Sequence, residues 1–120
     1  MKYMLLIYLD ENCLSETERQ ECYTESTQLA HAIRSSGHYI SANPLQPTAM
    51  ATSVRVRDGK RLVTDGPFAE TREHLGGFYL IDADNLDEAI AIAARHPGAP
   101  VGTVEVRPVM ELAGLPKAKV

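Results

Sequence analysis

The chain of 120 residues is long enough for one ordinary domain and too short for two. A formal net charge of −4, with no run of Lys or Arg, argues against a nucleic-acid surface, which needs a clustered positive field. Two cysteines, Cys13 and Cys22, have no metal-ligand spacing and read as reduced thiols, so neither a zinc site nor any other cofactor is implied.

The opening run Tyr3-Met4-Leu5-Leu6-Ile7-Tyr8-Leu9 is continuously apolar, the pattern of a strand over 2–9 covered on both faces. It stops at Asp10 and Glu11, short of a signal peptide or of the roughly 20 apolar residues of a membrane span, so a cytoplasmic protein without membrane contact is expected. Ser15 and Glu18 have capping-box spacing and open a helix whose apolar face is Cys22, Leu29, Ala30 and Ile33; Gly37 is its stop. A short strand is expected over 38–46. Thr52–Arg57 alternates, Asp58-Gly59 is a hairpin turn, and 60–64 returns as the partner strand. Gly76-Gly77 opens a second continuous apolar run, Phe78 to Ile81. Asn85 and Glu88 cap a second helix, expected to bury Leu86, Ala89, Ile90 and Ala93 and to end at Arg95-His96-Pro97-Gly98. The last strand is 103–109, the domain runs over 1–112, and 113–120 forms a C-terminal tail.

Without the hairpin the order is βαββαβ, which predicts an α+β fold with a ferredoxin-like protomer and an inserted β-hairpin. Two helices cover one face of such a sheet. The runs 3–9 and 78–81 place large side chains on both faces, so the second face predicts a homodimer, the alternative being cover by the 43–53 and 65–75 loops.

The densest group of reactive side chains is Asp65, Glu70, Arg72, Glu73 and His74, between two strands. Asp65-Gly66-Pro67-Phe68 is fully explained as a turn, and it also makes Asp65 a candidate base or ligand orienter. If 70–74 forms a helical turn, Glu70 and His74 share a face, and His74 becomes a candidate acid or base. Arg107 shares a face with Glu105, which is expected to be no close partner of it within one strand. Asp65 or a bound anion is then the expected partner. The candidate catalytic set is therefore Asp65, His74 and Arg107, and the candidate ligand-binding set Gly66, Pro67, Phe68, Glu70 and Glu105. His31 reads as a packing residue, His38 as exposed, and His96 as a helix-end group in a capping or dipole role. No phosphate-binding loop, dinucleotide fingerprint or nucleophile elbow is present.

The segments Val54-Arg55-Val56-Arg57-Asp58-Gly59-Lys60, Val63-Thr64-Asp65-Gly66-Pro67-Phe68-Ala69-Glu70-Thr71 and Gly76-Gly77-Phe78-Tyr79-Leu80-Ile81 occur in order, followed by Ala93-Ala94-Arg95-His96-Pro97 and Val104-Glu105-Val106-Arg107-Pro108-Val109. Over roughly residues 1–112 they closely resemble the DGPF branch of the YCII-related family. That resemblance implies a dimeric α+β barrel and carries over Asp65. A His–Asp pair is suggested as catalytic in the YCII core. Its first-helix histidine position matches Ser26 here, His31 being the only histidine of that helix. Some members lie beside or are fused to sigma-factor genes, which implies a possible sigma-factor partner. Three functions stand open from the sequence: a small enzyme with its pocket near Asp65, a ligand-binding or regulatory module using the same pocket, and a partner-binding protein linked to sigma-factor-dependent transcription.

Overall fold

A computed structural model describes residues 1–69 and 71–117. Along the chain run β1 (Lys2–Leu9), α1 (Glu16–Ser35), β2 (Tyr39–Pro44), a single 3-10 turn (Thr48–Met50), β3 (Thr52–Arg57), β4 (Lys60–Asp65), β5 (His74–Asp82), α2 (Leu86–Ala93) and β6 (Thr103–Pro108). Strands β2-β5-β1-β6 form one antiparallel sheet, and β3-β4 form a separate two-stranded ribbon. The order of the larger sheet, with both helices supplying its crossovers, is consistent with a ferredoxin-like α+β fold.

Alternation along the two central strands sorts their side chains. Tyr3, Leu5 and Ile7 of β1 and Tyr79 and Ile81 of β5 are buried and meet Leu29 and Ile33 of α1 and Ala89, Ile92 and Ala93 of α2. Met4, Leu6 and Tyr8, with Phe78 and Leu80, point to the opposite, outer face and are half-buried. Both helices therefore lie on one side of the sheet, as two elements of this size must.

Each helix begins where its cap dictates. The Ser15 hydroxyl accepts from the Glu18 N–H (3.1 Å) and the Glu18 carboxylate accepts from the Ser15 N–H (2.9 Å), so two otherwise unpaired donors are satisfied reciprocally. Asn85 accepts from the Glu88 N–H, but the Glu88 side chain reaches the Asp84 N–H instead of that of Asn85. The buried face of α2 differs from the expected one. Leu86 and Ile90 are about half exposed, and Ile92 takes their place between Ala89 and Ala93. Two small alanines let the helix approach the sheet closely; the i, i+4 pair Leu86 and Ile90 is rotated off that contact.

The β3–β4 ribbon turns through Asp58 (φ 52°) and Gly59 (φ 73°), the paired positive φ values of a tight two-residue hairpin. Among the described residues its moorings gather toward its base. The Gly66 N–H donates to the Ala51 carbonyl, the Ser53 hydroxyl donates to the Gly66 carbonyl (both 2.7 Å), and the Arg55 guanidinium sits 4.3 Å from the centre of the Phe68 ring. Beyond that base the ribbon stands away from the sheet. The radius of gyration is accordingly 16.1 Å, against roughly 13–14 Å for a compact chain of this length.

Candidate functional site

The side chains singled out around the Asp65 turn converge only in part. Asp65 is exposed at the end of β4 and lines neither of the two main cavities. Gly66 has φ 100° and serves the ribbon's base through both of its backbone groups. Glu70 lies outside the described residues. Residues 71–73 form no helical turn and His74 already belongs to β5. The His74 Nδ1 is buried without a hydrogen-bond partner among the described residues. Arg107 is well exposed and pairs with Glu105 at 3.5 Å, contrary to the expectation that Glu105 lies beyond its reach. Residues two apart on a strand share a face, and these long side chains span that spacing. Pro67, Phe68, His74 and Glu105 do meet, with Tyr8 and Thr103, around an open cavity of about 820 Å³ on the outer face of the sheet.

A second cavity, of about 550 Å³, lies on the helix side, between α1 and the strands β2, β5 and β1. Its volume falls within the usual range for small-molecule sites. Helical spacing builds one wall. Cys22, Ser26 and Ala30 follow one another at i, i+4, with Tyr23, Thr27 and His31 beside them. The opposite wall is Tyr79 on β5 and Tyr39 and Ala42 on β2, and His96, just past α2, closes the inner end. Three of these side chains are bonded together. The Ser26 Oγ lies 2.7 Å from the Tyr79 Oη and 3.2 Å from the His96 Nε2. The Tyr79 hydroxyl also donates to the Ser26 backbone carbonyl, and the His96 ring meets the Tyr79 ring edge-on, centroids 5.3 Å apart.

The protons in this group can be assigned from its outer end. The Gly98 N–H donates to the His96 Nδ1 at 2.9 Å, which makes that nitrogen an acceptor. The neutral ring therefore carries its proton on Nε2 and donates it to the Ser26 Oγ. The Tyr79 proton is committed to the Ser26 carbonyl, which can only accept, so the Ser26 hydroxyl donates to the Tyr79 Oη. Burial pushes the His96 pKa down to about 4, which keeps the ring neutral. Burial likewise pushes the Tyr79 phenol up, against the pull of its bond to Ser26. The Cys22 thiol is raised by burial and then by the Glu25 carboxylate, so it is no thiolate nucleophile. Gly98 makes the contact possible: a Cβ there would lie 3.0 Å from both the His96 Nδ1 and the Ile7 Cγ2.

Proximity alone would suggest a serine nucleophile with a histidine base, and the proton count opposes it. A base needs a free lone pair on the nitrogen facing the hydroxyl, and here that nitrogen holds the hydrogen. The acceptor capacity left in this group is one lone pair on the Ser26 Oγ and one on the Tyr79 Oη, while Thr27, Arg34, Asn43 and Gln46 also line the cavity and carry donors of their own. Among the described residues no three His, Cys, Asp or Glu side chains converge to hold a metal ion.

His96 thus corrects the sequence reading, since a neutral buried ring cannot serve a helix dipole as a cation. His31 is exposed at the cavity wall instead of packed, and His38 is half-buried, bridging the Ser36 hydroxyl (2.7 Å) and Glu88 (3.1 Å). Tyr79 was missed as well. Its signal was a phenol inside a continuous apolar strand, which must find a partner for its hydroxyl. For His96 the signal was the glycine two residues on.

A sequence model of the YCII-related domain matches residues 1–113. An uncharacterized protein of Rhizobium meliloti (strain 1021) is 38% identical over 117 residues, an alignment covering 91% of this chain and 92% of that protein.

Proposed function

This chain belongs to the YCII-related family, and on that premise we propose that it is a small-molecule-binding protein whose ligand occupies the helix-side cavity, with a homodimer formed through the outer face of the sheet. The observation that carries the ligand reading is the closed donor chain Gly98 → His96 → Ser26 → Tyr79, set in a chamber of about 550 Å³. Every proton in that donor chain is used, so its end of the site favours an N–H or O–H donor of the ligand, taken up by the Ser26 and Tyr79 oxygens, while Arg34, Asn43 and Gln46 in the same lining can donate to the rest of a largely apolar ligand. The same commitment of protons favours binding over turnover. The homodimer rests on Leu6, Met4, Phe78 and Leu80, large side chains on a face that no helix covers.

The test is a thermal-shift screen of amines, alcohols and amides with apolar bodies, repeated on Ser26→Ala and Asp65→Asn. A ligand at one hundred times its Kd adds about 2.7 kcal/mol of stability. Ser26→Ala is expected to weaken a genuine ligand roughly tenfold, the worth of one hydrogen bond, and Asp65→Asn to leave it unchanged. Binding that ignores Ser26 and depends on Asp65 would move the site to the outer cavity.

A further inference from the structure

The β3–β4 ribbon exposes apolar surface that has no use within one subunit. Val54 pairs across the ribbon with Val63, and Val56, which pairs with Arg61 nearer the tip, shares their face; all three valines are about 60% exposed. The other face carries Arg55 opposite Leu62 and Arg57 opposite Lys60. Isolated two-stranded hairpins are marginal in water, yet this one keeps six paired positions with its moorings gathered toward its base.

We propose that the ribbon is a grip on a second copy of this chain, its valine face lying against the rim of the partner's outer sheet face. The inference rests on the homodimer reading above and deepens it. Area is the first argument. Four strands at about 4.8 Å spacing and about 20 Å length give an outer face with a planar footprint of only roughly 400 Å², small for the single contact surface of a stable dimer. A ribbon face of two such strands enlarges that footprint by roughly half on each side. Charge is the second argument. The ribbon holds four basic and two acidic side chains on a chain whose net charge is −4, so the remainder of each copy is acidic and attracts it. Two ribbon tips, each carrying Arg57, Lys60 and Arg61 around the single carboxylate of Asp58, are net positive and repel one another, which directs each ribbon onto the body of the other copy.

Sedimentation equilibrium on the full chain tests this, comparing the native protein with Val54→Ser/Val56→Ser/Val63→Ser and, separately, with Leu6→Glu on the outer face. Circular dichroism first confirms that each variant is folded. The ribbon triple variant is expected to raise the dimer Kd at least tenfold, and the β3–β4 amides of the native protein to exchange more slowly at concentrations where it is dimeric. A native dimer that Leu6→Glu breaks but the triple variant leaves intact, with ribbon amides exchanging at the same rate when diluted, overturns the grip and keeps the sheet-face dimer. A native protein that stays monomeric at high concentration overturns both.

Discussion

Acidification is expected to destabilise this protein through His96. The ring is buried and neutral, with its pKa at about 4 against an ordinary value near 6.5. Because the folded state binds its proton less readily than the unfolded chain, His96 contributes its full stability above pH 6.5, and that contribution is lost as the pH falls from 6.5 toward 4. The difference corresponds to roughly 3 kcal/mol at 1.36 kcal/mol per tenfold, and solvent reaching the ring through the cavity reduces this to about 2 kcal/mol. Geometry acts in the same direction, since a proton on Nδ1 would face the Gly98 N–H donor at 2.9 Å. The assay is urea unfolding at half-unit pH steps, with the ring titrated by NMR in parallel. His96→Gln retains a neutral donor toward Ser26 and should flatten the profile between pH 6.5 and 4. A His96 resonance that titrates near 6.5, or a native protein whose stability does not change across that window while the ring protonates, would refute the reasoning.

Ser26→Ala leaves the His96 Nε2–H without its acceptor and should cost about 1–3 kcal/mol by urea denaturation, although Tyr79 keeps its bond to the residue 26 carbonyl. Gly98→Ala brings a methyl within 3.0 Å of the His96 ring and of Ile7, and should lower stability by about 1–3 kcal/mol and shift the His96 NMR signals. Ser15→Ala removes the hydroxyl half of the α1 capping box and should cost about 1 kcal/mol, with fraying visible in hydrogen exchange of the first turn. Ile33→Ala empties a fully buried position against the sheet and should cost about 2–5 kcal/mol in the same unfolding assay.

The frame of the protein was legible because its signals are local. A capping box spans four residues, a tight hairpin turn two, and a strand's apolar run is contiguous, so Ser15, Asp58-Gly59 and the two central strands are set by neighbours in the chain. Bounds shifted only where a run tapers: β5 begins at His74, two residues before the glycine pair, and β2 is shorter than 38–46. The misassigned face of α2 shows the limit of periodicity. In a helix of two turns several stripes are apolar, and which one is buried depends on how close the sheet lets it come, here decided by the small Ala89 and Ala93.

The helix-side cavity was legible only in part, for the opposite reason: the resemblance pointed to Ser26, but nothing tied it to Tyr79 or His96. Ser26 lies 53 residues from Tyr79 and 70 from His96, and nothing local marks them as neighbours. The eye is drawn instead to the crowded 65–74 stretch, where charges accumulate because the chain there is exposed. Density of reactive residues along a sequence measures solvent contact as readily as chemistry. Burial separates the two: a polar group that the fold has removed from water must have every donor and acceptor accounted for, and that accounting places His96 at the inner end of the cavity and leaves Asp65 outside it. If burial with a complete proton inventory identifies the site, then Asp65→Asn should change stability by less than about 0.5 kcal/mol, as surface positions do, while Ser26→Ala and His96→Gln change both stability and ligand affinity. A large effect of Asp65→Asn on binding, with none from Ser26→Ala, would show that the crowded loop and not the buried chain carries the function.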